Sequence, residues 1–246
     1  MVNRKSSIEK WKIALFRAIF SFFSCISRKK AVPLCPIMIN KQYHSDDLKE
    51  ALIVLRSGGV IVYPTDTVWG IGCDATNPQA VKRIYDLKQR EDSKSMLVLL
   101  DSAAKLDYYV DVPDAAERLL GVLNTDRFPD GTNLHSQEVS AKPLTIIYPH
   151  ARNLAQNLIA QDGSVGIRIT NETFSKELCA RLKRPIVSTS ANISGQPTAR
   201  FFHEIDERIL NGADYVCRFR RDDQTPHAPS SIIKVNADNS FIIIRQ

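Results

Sequence analysis

Residues 60–74 read Val-Ile-Val-Tyr-Pro-Thr-Asp-Thr-Val-Trp-Gly-Ile-Gly-Cys-Asp, an apolar run followed by a segment rich in hydroxyls and glycines. The run from Val60 to Tyr63 predicts a short buried strand that ends at Pro64. Two hydroxyls and two glycines after such a strand are typical of a loop whose backbone approaches a ligand closely. An ordinary glycine turn with hydroxyl caps would have the same sequence pattern, so the stretch alone leaves both interpretations open.

Apolar strands alternate with helical patterns along the rest of the chain. One helix is predicted around Leu48, Leu52 and Leu55, capped at 45 or 46 and stopped at 58–59. Asn77-Pro78 predicts a second helix start, with a capping side chain followed by proline at the first helical position. Further strands are predicted at 96–100, 144–148, 165–169, 186–188, 215–219, 231–235 and 241–244, and further helices at 113–123, 154–163, 171–182 and 205–210.

This alternation favours an α/β sheet, and the strand-rich end favours antiparallel additions to it, which gives an α/β (α+β) class. No glycine-serine linker and no internal repeat divides residues 38–246, so we expect one domain there. The polar connection at 124–141 has the length of a lid or an insertion.

The basic charge of the chain is concentrated at its amino terminus. The whole sequence carries a net charge of +6. Residues 1–37 hold eight basic residues and one acidic residue, a net +7, which leaves −1 for the remainder. The body therefore lacks the excess of cations that phosphate-driven binding of nucleic acid requires, and polyanion binding would need a local patch.

Residues 11–27 form an apolar stretch between two basic clusters. The stretch is shorter than the roughly 20 residues of a membrane-spanning helix and is interrupted by Lys12 and Arg17, so we expect no stable membrane insertion. It also lacks a small-x-small cleavage site. We interpret 1–37 as a dispensable extension or as codons upstream of a natural start at Met38, and an interfacial amphipathic helix is the alternative.

The five cysteines show no C-x-x-C spacing and are odd in number. Free thiols in a reducing compartment, the cytoplasm, are the plain interpretation. The five histidines are scattered as well, so the sequence predicts no metal site held by protein ligands.

A short basic turn follows the second predicted helix. Lys88, Arg90 and Lys94 fall within seven residues, between the helix pattern and the apolar run at 96–100. Cations at a helix-to-strand turn can converge on one anion, whereas a solvated surface turn is the commoner arrangement. Lys88 also lies in the last helical turn, where a cation suits the helix dipole.

Two further polar clusters accompany predicted strands. Arg168 lies inside the apolar run 165–169, where it is either at an edge or paired. Residues 188–195 read Ser-Thr-Ser-Ala-Asn-Ile-Ser-Gly and offer many hydrogen-bonding groups without bulk, as a phosphate or carboxylate cradle would. The chain has no G-x-x-x-x-G-K-[ST] loop, no G-x-S-x-G elbow and no convincing Cys–His pair. Anion-binding clusters without a nucleophile indicate catalysis by positioning and electrostatics, as in nucleotidyl transfer.

Taken together, the motifs at 63–72, 88–94 and 188–195 resemble those of the YrdC/TsaC family, and the resemblance extends from about Ile53 to the carboxyl terminus. It implies an open, twisted, mixed sheet with flanking helices and a concave basic cavity. It also implies a nucleotidyltransferase, an L-threonylcarbamoyladenylate synthase that converts ATP, bicarbonate and L-threonine into threonylcarbamoyl-AMP and pyrophosphate. That product serves the modification of adenosine 37 in tRNA to N6-threonylcarbamoyladenosine.

The resemblance also assigns roles to particular residues. Lys88 and Arg90 would hold phosphate and carbonate oxygens, and Ser190 and Asn192 would complete the catalytic set by binding nucleotide and carboxyl groups. Threonine would be received by Thr65, Arg168 and Ser188. ATP contacts would be supplied by Lys88, Arg90, Ser164, Ser190, Asn192, Ser230, Ser231 and Arg245. Mg²⁺ would arrive with ATP and be held by phosphate oxygens and water, and a downstream threonylcarbamoyl-transfer enzyme would be a partner, with direct tRNA binding left open.

The chain departs from the family pattern in three places. Glu91 and Ser95 replace the prolines that usually flank the basic turn, residues 141–145 read Ala-Lys-Pro-Leu-Thr instead of Pro-Gly-Pro-[Leu/Val]-Thr, and 124–141 lacks the usual tryptophan. We expect these changes to affect the geometry of a lid and the catalytic rate, not the class of substrate. The alternative hypotheses are a non-catalytic RNA-binding module of the same fold and a carbamoyl-transfer domain of the hydrogenase-maturation type.

Overall fold

The computed structural model describes residues 36–91, 96–124 and 143–245. The helices are α1 (Pro36–Arg56), α2 (Pro78–Lys88), α3 (Leu106–Tyr109), α4 (Asp114–Asn124), α5 (Thr173–Leu182) and α6 (Glu207–Gly212). The strands are β1 (Ile61–Tyr63), β2 (Gly70–Gly72), β3 (Leu97–Leu100), β4 (Leu144–Tyr148), β5 (Val165–Ile169), β6 (Ile186–Ser190), β7 (Tyr215–Val216), β8 (Ser231–Val235) and β9 (Phe241–Arg245). The chain divides into two compact units, 1–39 and 40–246, and the strands that the structure describes all belong to the second.

The described strands form one open sheet in the order β7-β1-β2-β6-β3-β5-β4-β8-β9. Three neighbouring pairs are parallel (β1 with β7, β3 with β5, β4 with β8), and the other five are antiparallel. The sheet is therefore mixed, and the predicted class is confirmed. Its central strands are short and mostly buried, as expected for the middle of a sheet that packs into the core.

The helix that precedes the basic turn forms as the sequence predicts. The Asn77 side chain accepts hydrogen bonds from the N–H groups of Gln79 and Ala80, and Pro78 occupies the first helical position. The helix ends at Gln89, which adopts a left-handed conformation (φ 50°) and donates its N–H to the carbonyls of the last turn. Lys88 consequently belongs to the buried face of α2.

Other boundaries differ from the prediction. Helix α1 begins at Pro36, so it runs through Met38 and past the predicted cap at 45 or 46. Helix α5 is capped by Glu172 instead of residue 171, because the Glu172 carboxylate reaches the N–H groups of Phe174 (3.1 Å) and Ser175 (2.7 Å). The error at α5 arises because two neighbouring residues can each serve as the cap.

Two predicted elements are shorter than expected, and one strand was missed. The predicted helix at 154–163 is only a 3₁₀ turn (Gln156–Leu158), and the predicted strand at 215–219 pairs over two residues. Strand β2 lies inside the segment that the sequence predicts to be a loop. The predicted insertion at 124–141 falls almost wholly on residues 125–142, and these, like the apolar stretch 11–27, lie outside the described residues.

A buried carboxylate joins α1 to the chain that follows β7. Asp47 is fully buried and accepts hydrogen bonds from the Tyr215 hydroxyl (2.7 Å) and from the backbone N–H groups of Arg218 and Phe219 (2.6 Å each). The Arg218 Nε is a fourth donor at 3.2 Å, so four donors fix the helix against the sheet edge. Within the described ranges, no helix is both long and apolar enough to cross a membrane.

Candidate active site

One cavity of about 950 Å³ extends across the sheet from β2 to β9. Its described lining includes five cationic side chains and no Asp or Glu. The predicted concave basic cavity is therefore present, although the body of the chain has almost no net charge. The cations are Arg90, Arg168, Arg200, Lys234 and Arg245.

Hydroxyl groups form the wall at β6 and in the loop after β1. Ser188, Thr189 and Ser190 line the cavity from β6, and Thr65 and Thr67 line it from the loop. The loop holds its own shape, because the Thr65 hydroxyl donates to the carbonyl of residue 68 (2.6 Å) and accepts from the Thr67 N–H (3.1 Å). Thr65 and Ser188, both assigned to threonine binding by the resemblance, therefore line the same cavity.

The two glycines of the first motif have different roles. Gly70 lines the cavity, and a Cβ built there would lie 3.5 Å from the Ser188 hydroxyl. A Cβ built on Gly72 would lie 2.4 Å from the carbonyl oxygen of Val187 and 2.9 Å from the Tyr63 ring. The close backbone approach that the sequence indicates is thus made at Gly72 to the neighbouring strand β6, and only Gly70 faces the cavity.

Lys88 is directed into the protein and does not line the cavity in this structure. Its ammonium donates to the backbone carbonyls of Ser190 and Asn192 (the latter at 2.6 Å) and to Asn192 Oδ1 (3.3 Å). Burial, aided by the nearby Arg90 charge, lowers the pKa of Lys88 to about 8. The Lys88 carbonyl also accepts from the Ser194 N–H (2.8 Å). Lys88 thereby joins the end of α2 to the loop at 190–195.

The loop at 190–195 is closed by its own side chains. The Ser190 hydroxyl donates to Asn192 Oδ1 (2.6 Å), and Asn192 Nδ2 donates to the carbonyl of Gln196 (2.6 Å). Ser190 lines the cavity, whereas Asn192 is not among the lining residues that the structure describes. Arg90, two residues after Lys88, lines the cavity. The basic turn is therefore divided between an inward Lys88 and a cavity-facing Arg90, while Lys94 lies outside the described residues.

Arg168 forms an ion pair, which is one of the two arrangements predicted for it. Its Nη2 lies 2.9 Å from Asp66 Oδ1, and its side chain is 3% exposed. Burial raises the pKa of Asp66, and the Arg168 charge opposes that rise. Arg168 Nε has no hydrogen-bond partner among the residues described. An unused donor beside a cavity is suited to a carboxylate ligand.

The remaining predicted residues lie at the β8–β9 end. Arg245 donates from Nε to the Ser230 carbonyl (2.8 Å) and from Nη2 to the Ser230 hydroxyl (3.1 Å). Ser164 donates to Asp162 (2.6 Å), which also pairs with Lys234 (2.6 Å). These donors lower the pKa of Asp162 to about 2.

Eight of the eleven predicted site residues line the cavity, and Lys88, Asn192 and Ser231 do not. Ser231 instead donates its N–H to the carbonyl of Pro143 (2.9 Å). Further polar residues that were not predicted also line the cavity, among them Thr67, Thr145, Arg200, His227 and Lys234. Strand alternation could have identified Lys234, two residues after Ile232, but no local pattern marks the loop residues.

Comparison with known proteins agrees with this geometry. The family model Sua5_yciO_yrdC, described as Telomere recombination, matches residues 53–246. A threonylcarbamoyl-AMP synthase of Stutzerimonas stutzeri (strain A1501) is 36% identical over 167 residues, which cover 65% of this chain and 82% of that protein. A second relative of the same name, from Pseudomonas aeruginosa (strain UCBPP-PA14), is 37% identical over 169 residues, which cover 65% of this chain and 82% of that protein.

Solved structures share the fold at lower identity. Escherichia coli YciO superposes with a TM-score of 0.64 at 23% identity, covering 81% of this chain and 88% of that one. Sua5 of P. abyssi, solved in complex with L-threonine, superposes with a TM-score of 0.61 at 23% identity, covering 76% of this chain and 50% of that one. Since the family model matches more than three quarters of the sequence, and the sheet and cavity agree with it, this chain belongs to the Sua5/YciO/YrdC family.

Proposed function

We propose that this chain is an L-threonylcarbamoyladenylate synthase that uses ATP, bicarbonate and L-threonine and releases pyrophosphate. The observation that carries the proposal is the cavity, whose described lining has five cations and no carboxylate. Every substrate of this reaction is anionic or carries a carboxylate. The names of the relatives that are 36–37% identical support the same reaction.

The reaction has two bond-forming steps. The threonine amine adds to the carbon of bicarbonate, and loss of water gives a carbamate. A carbamate oxygen then attacks the α-phosphorus of ATP, and the bond to pyrophosphate breaks. Both steps gather negative charge on oxygens, so fixed cations and hydroxyls lower the barrier without a protein nucleophile.

The threonine end of the site would lie at β5 and β6. Arg168 would bind the carboxylate of threonine, because a guanidinium forms charge-assisted hydrogen bonds to carboxylates. Thr65 and Ser188 lie at the same wall and offer hydroxyls to the amino acid. Asp66 fixes one edge of the Arg168 guanidinium, which would orient the rest of it.

The phosphates would be bound near the basic turn. Arg90 and Ser190 line the cavity there and would contact triphosphate oxygens. The predicted contacts of Lys88 and Asn192 with ATP remain predictions. In this structure both hold the 190–195 loop, and a phosphate contact would require the Lys88 ammonium to leave the carbonyls it binds.

Mg²⁺ would enter with ATP. The described lining offers hydroxyls but no carboxylate, and no group of three His, Cys, Asp or Glu side chains within the described part could hold a metal ion. The residues present therefore suit a cation held by phosphate oxygens and water, not one held by the protein. When bound, Mg²⁺ would neutralise phosphate charge.

We further propose that the product serves the formation of N6-threonylcarbamoyladenosine at position 37 of tRNA, through a separate transfer enzyme in the cytoplasm. The intermediate is a mixed anhydride, so a protein that consumes it soon after release is chemically required. Direct binding of tRNA by this chain is a separate question that salt-dependent binding of a 38–246 fragment would answer.

The test is release of pyrophosphate by the purified protein as ATP, bicarbonate and L-threonine are omitted one at a time. We expect release to require all three. Arg90→Ala should reduce the rate at least a hundredfold, whereas Arg208→Ala, which removes an exposed arginine paired with Asp206 outside the cavity, should leave it unchanged. Pyrophosphate release that does not depend on threonine would refute the proposal.

A further inference from the structure

Tyr63, the last residue of β1, is fully buried behind the cavity and carries an unpartnered hydroxyl. Its side chain is 0% exposed and is not part of the cavity lining. The hydroxyl has no hydrogen-bond partner within the described part of the chain. A buried hydroxyl without a partner costs stability, and such groups are rare in native proteins. This one therefore calls for a functional explanation.

The register of the sheet places the Tyr63 ring on the face that bears the cavity. Tyr63 pairs with Gly70 of β2, and Gly70 pairs with Ser190 of β6. Cross-strand partners share a face of the sheet, and residues two apart in one strand share it as well. Since Gly70, Ser188 and Ser190 line the cavity, the Tyr63 side chain projects from the same face.

The two glycines of β2 leave room for the tyrosine ring. A Cβ built on Gly72 would lie 2.9 Å from Tyr63 Cε1, and one built on Gly70 would lie 3.5 Å from the same atom. The ring therefore extends across β2, where a side chain at position 72 would obstruct it. The Cβ built on Gly70 would also lie 3.5 Å from Ser188 Oγ. The ring and the Ser188 hydroxyl thus border the same point above β2.

The Tyr63 hydroxyl lies among the groups that would hold threonine. Burial raises its pKa, and both the Ser188 side chain and the Arg168 charge oppose that rise, whereas Asp66 adds to it. The hydroxyl is therefore near all three residues, although its geometry toward Ser188 falls short of a full hydrogen bond. Of the three, only Ser188 can accept the tyrosine proton and still donate a proton of its own.

We propose that Tyr63 is a positioning residue that donates its hydroxyl proton to Ser188 Oγ when threonine is bound, and so directs the Ser188 proton to an oxygen of the amino acid. The carboxylate of threonine, and the carbamate formed from its amine, offer charged oxygens that accept such a hydrogen bond. The opposite direction, from Ser188 to Tyr63, would leave the tyrosine proton buried without an acceptor among the residues described. This inference rests on the proposed synthase function and adds to it a residue that touches no substrate.

The experiment measures the binding of L-threonine by titration calorimetry, and the KM and kcat for each substrate by release of pyrophosphate. The proteins are wild type, Tyr63→Phe, Ser188→Ala and the double variant. Tyr63→Phe removes the hydroxyl alone and keeps the ring that fills the space above β2. Tyr148→Phe is the matched control, because Tyr148 is a buried tyrosine of β4 that does not line the cavity.

We expect Tyr63→Phe to weaken threonine binding and to raise the KM for threonine about tenfold, the effect of one hydrogen bond, while the KM for ATP stays unchanged. The melting temperature should not fall, because the hydroxyl that is removed has no partner within the described residues. Tyr148→Phe should alter neither KM. In the Ser188→Ala background, Tyr63→Phe should cause no further loss, since its effect passes through Ser188.

Three results would overturn the inference. The first is unchanged threonine binding by Tyr63→Phe. The second is a full additional loss when Tyr63→Phe is combined with Ser188→Ala. The third is a lower melting temperature together with an equal rise in the KM for threonine and for ATP, which would show that the hydroxyl acts only through stability.

The proposed function can fail separately. If wild type binds threonine more tightly than Tyr63→Phe does but releases no threonine-dependent pyrophosphate, the inference stands and the synthase is refuted. Normal pyrophosphate release by Tyr63→Phe with an unaltered KM for threonine would retain the synthase and refute the inference. Wild-type protein that binds no threonine would refute both.

Discussion

Arg168 and Asp66 form an ion pair of 2.9 Å beside the cavity, and Arg168 comes from a central strand whereas Asp66 comes from the loop after β1. The pair connects two motifs that lie about 100 residues apart in the sequence. Because Asp66 does not itself line the cavity, its effect on a ligand would be exerted through Arg168. Asp66 is therefore a positioning residue in the proposed threonine site.

We predict that Asp66→Asn raises the KM for threonine about tenfold while kcat changes less than threefold. The amide retains the size of the carboxylate but loses the charge that fixes the guanidinium. The KM for ATP should not change. Steady-state kinetics with each substrate varied in turn checks this prediction.

The control is Asp74→Asn. Asp74 is also buried and pairs with Arg184 at 2.6 Å, but it does not line the cavity. This variant should lower the melting temperature without a selective change in the KM for threonine. Equal kinetic effects of the two substitutions would mean that Asp66 acts only through stability.

A second prediction concerns pH and Lys88. Burial lowers its pKa to about 8 from 10.5, so between these values the unfolded chain holds a proton that the folded chain has lost. Stability contributed by this group therefore rises with pH across that window, and the cost of the buried charge is fully present below pH 8. The rise should amount to about 3 kcal/mol.

The measurement compares urea unfolding of wild type and Lys88→Met from pH 7 to 10.5. Taking the difference between the two proteins removes the titration of other groups, including the tyrosines and thiols that burial also affects. The free energy of unfolding of wild type should increase relative to that of Lys88→Met as the pH rises. A constant difference would show that the three oxygen atoms around the ammonium compensate fully for its burial.

A third prediction concerns the hydrogen bonds of Asp47, which attach α1 to the sheet edge. Asp47→Ala should lower the free energy of unfolding by about 3–5 kcal/mol, because the Tyr215 hydroxyl and two backbone N–H groups lose their acceptor. Denaturant unfolding measures the loss. Glu50→Ala on the exposed side of the same helix is the control and should change stability by less than about 0.5 kcal/mol.

A fourth prediction concerns the thiols. Cys73, Cys179 and Cys217 are free and fully buried, and burial raises the pKa of each. They should resist iodoacetamide at pH 8 in the native protein and react once it is unfolded. Peptide mass spectrometry resolves the three sites, and rapid labelling of any of them in the native state would contradict the burial.

Sequence patterns predicted the elements whose signals are local. Asn77 and Pro78 specify a helix start through their own side chains, and the short, largely apolar runs at 97–100 and 165–169 are typical of buried strands. The cap of α5 was misplaced because the longer Glu172 side chain reaches the same N–H groups that a neighbouring asparagine would serve.

Features that depend on contacts between residues far apart in the sequence could not be predicted from it. Strand β2 is three residues long and contains two glycines, so only its partners β1 and β6 reveal it. The inward direction of Lys88 depends on carbonyls more than 100 residues away. The register of β8 and β9 shifts, so that Ile233 pairs with Ile243 but Ile232 with Arg245, and register cannot be read from one strand.

The sheet order also has a kinetic consequence. Ile61 pairs with Tyr215, and Asp214 accepts hydrogen bonds from Val60 and Arg83, so one sheet edge joins segments more than 130 residues apart. Topologies of high contact order fold slowly, because long loops must close before their contacts form. The cavity extends from β2 to β9 in the same sheet, so binding competence should appear only with the last, slowest phase of refolding.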